Sequence, residues 1–337
     1  MIKTEFFNDF VEYYNKAEIL QEKNLKLVPP TFQAYDPLMD NITIYDTVNR
    51  RFAGFSKVLE DLHGTRDPAF LFRFGNYSDI LPIEEFHFIH LFHRFTGSGA
   101  SFQPTFLPDG TRNPSEHGYK NSKSEELAKT GTIELMIKFV VQCKEPMVTS
   151  VGNQPPSIKN GNPDKYRLAQ QYYFDNFGKE FIIDYVKYVQ TQRRGIKDAV
   201  DFSCKWHKDR GFKQWKFVLT AFVMDTAEYY PGLVDPESHC YYGANCIKSF
   251  ELIFEREKGD PKKNDYYEKC MAEICKEVGG RPYDVEDVCC DYIRYIKEYV
   301  PKGYDHLSPE ETKNNCTLKI NGVYPQAVQD RITKILG

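Results

Sequence analysis

The chain has 337 residues, 41% of them hydrophobic and 27% charged, a balance that suits a packed globular protein and excludes a disordered one. Its formal charge of −4 excludes wholesale coating of nucleic acid by a basic surface, although a local basic patch is enough for phosphate contact. No apolar run approaches the roughly 18–20 residues that cross a bilayer. The opening segment MIKTEFFNDFVEYYNK lacks a signal-peptide core, so a cytoplasmic protein with no membrane partner is expected.

The first helix is expected over 5–22, where Phe6, Phe7, Phe10, Val11, Tyr14, Ala17 and Leu20 recur at helical spacing. Further helices are expected over 44–62, over 68–74 behind the Asp67-Pro68 start signal, and over 84–95, which is crowded with phenylalanine. From 96 to 121 the chain is rich in Gly, Pro, Ser and Asn, and a loop of that length in a compact chain is usually functional or disordered. An ordered element follows over 130–141, then a second irregular stretch over 151–163. The remainder reads as nearly continuous helix: 164–174, 180–191, 195–206, 213–229, 245–254, 263–278 and 285–300, with one longer break over 231–242. The expected architecture is mostly α, with a little β around 147–151. It forms one domain (1–337) with two lobes, a boundary near 150–163 and long functional loops.

Nine cysteines are present, at 143, 204, 240, 246, 270, 275, 289, 290 and 316. The odd count and the absence of a compact spacing framework point to free thiols, not a disulfide scaffold. Neither Cys270/Cys275 nor Cys289/Cys290 has zinc-ligand spacing, so no metal site is assigned. A basic run (Arg193, Arg194, Lys197, Lys205, Lys208, Arg210, Lys213, Lys216) reads first as a solvated helix face and second as a DNA patch.

Five segments carry residue types suited to chemistry. Thr96–Phe102 (TGSGASF) follows the helix ending His93-Arg94-Phe95. Its glycines allow close backbone approach, and its N–H groups and hydroxyls suit anionic oxygens; a helix C-cap and turn explain it equally well. His117-Gly-Tyr-Lys-Asn121 offers an acid–base group and base-reading side chains, or a surface turn. Asn153-Gln154 before two prolines offers amides that read bases or cap a turn. Asp225 lies on an otherwise apolar helix, where a carboxylate should resist ionisation and suit a general base, or form a structural ion pair. Downstream stand His239, Tyr242 and Asn245, with Gly243-Ala244-Asn245 opening a helix whose N–H groups suit a phosphate. In the fifth segment, 285–292, Glu286 and Asp287 sit in a first helical turn, where the helix dipole alone accounts for them. There is no P-loop, Rossmann fingerprint, H-E-x-x-H or zinc-deaminase pattern.

In this order, TGSGASF, HGYKNS, VGNQPP, AFVMDTAEYYPGLVDPESHCYYGANC and VEDVCCDYIRY resemble the phage enzymes that hypermodify thymine in DNA. These are the amino acid:DNA transferases and related α-glutamyl/putrescinyl-thymine pyrophosphorylases. The resemblance runs from about Phe92 to about Tyr295 and implies a DNA-glycosylase-like helical fold, related to the helix-hairpin-helix glycosylases. It also implies a reaction in which pyrophosphate on the 5-methylene of a modified uracil in double-stranded DNA is displaced by an amino acid or amine, in an infected bacterial cell.

The resemblance implies a donor set for the leaving pyrophosphate in Gly97, Ser98, Gly99, Ser101 and Arg94, with Asp225, His117 and His239 as candidate proton acceptors. Tyr119, Asn121, Asn153, Gln154, Tyr242 and Asn245 are candidates for holding an extruded base or its phosphates. No cofactor is implied, and assistance by a divalent metal stays open. A DNA glycosylase and a non-enzymatic phage DNA-binding protein are the alternatives.

Overall fold

A computed structural model describes residues 5–25, 82–96, 132–142, 163–212, 216–296 and 334–335. These are mostly helical, in the order α1 (Glu5–Leu25), α2 (Ile83–Thr96), α3 (Ile133–Gln142), α4 (Pro163–Tyr173), a π turn (Phe174–Gly178), α5 (Lys179–Thr191), β1 (Arg194–Gly195), α6 (Ile196–Asp209), α7 (Lys216–Tyr229), β2 (Val234–Asp235), α8 (Ala244–Ile253), α9 (Lys263–Val278) and α10 (Pro282–Ile296). The helices expected over 44–62 and 68–74, the strand around 147–151, and nearly all of the expected lobe boundary at 150–163 lie outside the described residues. No described helix is long and apolar enough to cross a membrane.

The described residues fall into two compact units. The first holds α1 and the chain from His239 onward. Phe6, Phe7, Phe10, Tyr13, Tyr14 and Ala17 of α1 are buried among residues of α8, α9 and α10, which accounts for the helical spacing seen in the sequence. Phe10 meets Tyr292 edge-on at 5.1 Å, and the Tyr292 hydroxyl donates to the Phe6 carbonyl at 3.2 Å. Gly279 ends α9 in the left-handed region (φ 73°), its N–H returning to the Cys275 carbonyl, a conformation that glycine adopts without a Cβ penalty.

The second unit holds α2 to β2. Where the sequence suggests a break between 174 and 180, the helix instead runs on from α4 to α5 through a π turn. Asp175, Asn176 and Gly178 read as breakers, but the wider turn absorbs them. Gly178 is required there by close packing: a Cβ would stand 2.9 Å from Phe174 Cδ1 and 3.3 Å from Phe88 Cε2. Gly178→Ala is therefore expected to cost about 1–3 kcal/mol, read as a lowered urea midpoint; an unchanged midpoint would refute this account of the turn.

β1 and β2 form a two-residue parallel pair, Arg194 with Val234 and Gly195 with Asp235; β2 falls in the break expected over 231–242, and β1 where the helix over 195–206 is expected to begin. Helix α7 is buried nearly all round, at Val218, Leu219, Phe222, Val223, Met224 and Ala227. A buried polar side chain on that helix must therefore find its partner inside the protein.

Candidate functional site

Helix α2 carries His87, His90 and Arg94 at intervals of three and four residues, which places them on one helix face. That face meets α7, and Asp225 of α7 is 1% exposed. Arg94 holds it with a two-pronged fork: Nε donates to Oδ2 at 2.7 Å and Nη2 to Oδ1 at 2.6 Å. His90 Nδ1 lies 3.3 Å from the same Oδ2. The sequence leaves Asp225 either a general base among apolar residues or a member of a structural ion pair. The structure supplies the counter-charge that such burial requires, from a residue 131 positions earlier. Arg94 also sits in the last turn of α2, where helix carbonyls favour a cation.

Next to this pair runs a directional chain of hydrogen bonds. His87 Nδ1 lies 2.7 Å from the Ile83 carbonyl. A carbonyl only accepts, so the imidazole proton is on Nδ1 and Nε2 is the acceptor. Nε2 takes its bond from the Thr226 hydroxyl at 3.1 Å, and Thr226 Oγ1 accepts from the Tyr185 hydroxyl at 2.9 Å. Burial pushes His87 down to about 3, and burial raises the Tyr185 phenol, so both are neutral near pH 7. Aromatic rings line the cluster: Phe86 is 4.3 Å from His90, and Tyr230 stacks on His87 at 5.4 Å.

A second buried dyad lies in the same unit. His207 Nδ1 donates to the Ser203 carbonyl at 2.7 Å, and Nε2 accepts from Tyr173 at 2.7 Å. Burial pushes His207 down to about 4. Tyr173 stacks on Phe95 at the end of α2, and the buried Gln170 donates to the Phe95 carbonyl at 3.0 Å.

In the other unit, His239 Nδ1 and the Tyr242 hydroxyl share a 2.7 Å hydrogen bond. Burial, then the neighbouring Cys240 and Cys246, raise the Tyr242 phenol. Asn245 Nδ2 donates to Cys290 Sγ at 3.4 Å. At the start of α8 the anion on the backbone is the protein's own: Glu286 Oε1 accepts the Gly243 N–H at 2.8 Å. Helix α10 begins at Pro282, so Glu286 lies beyond the first turn in which the sequence placed it, and it serves the neighbouring helix.

Of the candidate residues, the structure joins Arg94 to Asp225 in one unit and His239 to Tyr242 in the other. Gly97, Ser98, Gly99, Ser101, His117, Tyr119, Asn121, Asn153 and Gln154 lie outside the described residues. His87, His90, Tyr185 and Thr226 were not among the candidates. The available signal was the spacing His87, His90, Arg94 on a helix otherwise filled with phenylalanine.

Three residues of the basic run are engaged in ion pairs. Arg193 pairs with Asp235, Lys205 with Asp209, and Arg210 with Glu180 while stacking on Trp206 at 3.7 Å. The seven described cysteines are free thiols, and five of them are buried. Among the described residues no three His, Cys, Asp or Glu side chains cluster as metal ligands. No family model, curated protein or solved structure matches the chain.

Proposed function

We propose that this chain is an amino acid:DNA transferase acting on a pyrophosphorylated 5-hydroxymethyluracil in phage DNA, on a helical scaffold of the DNA-glycosylase type. The reading rests on the ordered motifs between 92 and 295. The observation that supports it best is the Arg94–Asp225 pair. Arg94 lies in the last turn of the helix that leads into TGSGASF, and Asp225 is the acid of AFVMDTAEYY. Two segments far apart in the chain, one quoted for the resemblance and one adjoining a quoted motif, are tied by a charged fork in a water-poor interior.

In the proposed reaction the amine nitrogen forms a C–N bond to the 5-methylene, and the C–O bond to pyrophosphate breaks. Pyrophosphate leaves with the electron pair, and the ammonium proton passes to His117 or His239. The uracil ring can stabilise positive charge building at the methylene, so the main demand on the protein is for donors around the departing oxygens. Arg94, Gly97, Ser98, Gly99 and Ser101 are the proposed donors.

The test is incubation with double-stranded DNA bearing the pyrophosphorylated base and a mixture of amino acids and amines, followed by nucleoside mass analysis. The expected products are inorganic pyrophosphate and a heavier nucleoside, and Ser98→Ala is expected to slow transfer about 100-fold. Release of free base would make the protein a glycosylase instead. DNA binding with neither product would make it a non-enzymatic binder.

A further inference from the structure

We infer that Arg94 is the receptor for a phosphate-type oxyanion and that Asp225, together with His90, is its positioning residue and not a proton acceptor. The inference rests on the proposed pyrophosphate-releasing reaction for its ligand, and on the fork for its geometry. Both Asp225 oxygens accept from Arg94, at 2.6 and 2.7 Å, and Oδ2 also faces His90 Nδ1. Protonating a carboxylate so engaged removes the negative charge that strengthens both hydrogen bonds from Arg94.

The arginine is differently placed. The fork uses Nε and Nη2, so Nη1 and its two N–H donors lie outside the pair. Exposure separates the members as well: Asp225 and His90 are 1% exposed and Arg94 12%, so the member of the cluster that reaches the surface is Arg94. A guanidinium clamped in plane by a buried carboxylate loses little freedom when it binds an anion. Arg94 is also three residues before Gly97, the first glycine of the segment proposed to hold the same oxygens.

Two anions of the proposed reaction suit a guanidinium, the pyrophosphate and the carboxylate of an amino acid. The larger charge favours the first. The experiment titrates the full-length protein calorimetrically with inorganic pyrophosphate and, separately, with a mixture of amino acids. Arg94→Lys keeps the charge but loses the fork, and should weaken pyrophosphate binding at least 10-fold while leaving amino-acid binding unchanged. Asp225→Asn keeps one acceptor oxygen. It should weaken pyrophosphate binding about 3- to 10-fold and raise KM for the pyrophosphorylated DNA more than it lowers kcat, with the pH profile of kcat unmoved.

The double variant Arg94→Met with Asp225→Leu removes the pair without leaving an orphaned charge. It should fold and fail to bind pyrophosphate, which keeps the test decisive if a single variant unfolds. Equal pyrophosphate affinity in wild type, Arg94→Lys and the double variant would overturn the inference, leaving the pair purely structural. Loss of amino-acid binding alone would also overturn it, as would a kcat collapse in Asp225→Asn that removes the low-pH limb, which would make Asp225 the base. Pyrophosphate binding that depends on Arg94, in a protein that yields no transfer product with any amine, would sink the proposed function and leave the anion receptor standing.

Discussion

Asp225→Ala is expected to destabilise the protein by about 3–5 kcal/mol, lowering its melting temperature by about 10 °C. The carboxylate is 1% exposed and holds a guanidinium only 12% exposed. Removing one member strands the other charge in a poorly hydrated interior, and also takes away the group facing His90 Nδ1. A general base at Asp225 with no structural partner could be replaced by alanine with the fold intact; the fork makes the same change a folding lesion. The double change Arg94→Met with Asp225→Leu should melt close to wild type, because apolar side chains of similar volume replace both charges. Calorimetric melting of the two variants separates these effects. An Asp225→Ala protein that melts within about 2 °C of wild type would mean that the pair contributes little.

The helices were legible because their packing is one-sided. In α6, Ile196, Ala199, Val200, Ser203, Cys204 and His207 are buried and the residues between them are mostly not, so a 3.6-residue period appears in the sequence itself. In α7 the same logic identifies a helix but cannot orient it. The residues around Asp225 are buried on every side, so periodicity does not say which neighbour the carboxylate faces. That information sits in Arg94 and His90, on another helix. The π turn was illegible for a related reason. Asp175, Asn176 and Gly178 have the composition of a break, and only the contact of Gly178 with Phe174 and Phe88 shows why the chain runs on.

The candidate site divides in the same way. Asp225 was readable as unusual because one acid among apolar residues is a local anomaly. The His87–Thr226–Tyr185 chain was not, because each member taken alone is an ordinary helix residue. Glu286 shows the opposite error. Its position near a helix start suggested a dipole role, but its carboxylate caps the backbone of a different helix at Gly243. Contacts between elements carry the chemistry here, and the alphabet of a single helix does not contain them.

Acidification is expected to unfold the protein over a window set by two buried imidazoles. Burial holds His207 down to about 4 and His87 down to about 3, against roughly 6.5 for an unfolded chain. Above pH 6.5 both states are neutral and the histidines cost nothing. As pH falls below 6.5 the unfolded chain takes up protons that the folded protein refuses, so stability is lost progressively until the folded-state values are reached. For His207 the full loss is roughly 3 kcal/mol, and the loss for His87 is of the same order. Together these are a large fraction of a typical folding free energy of about 5–15 kcal/mol. The geometry explains why the rings stay neutral: each gives its Nδ1 proton to a main-chain carbonyl, Ile83 or Ser203, and accepts a hydroxyl at Nε2, from Thr226 or Tyr173. Urea midpoints measured from pH 7.5 to pH 4 should fall steeply below about 6. His207→Gln should lower the midpoint at pH 7 by losing ring packing, yet flatten the slope between pH 6 and 4. A variant whose slope matches wild type would show that His207 already titrates normally in the folded chain.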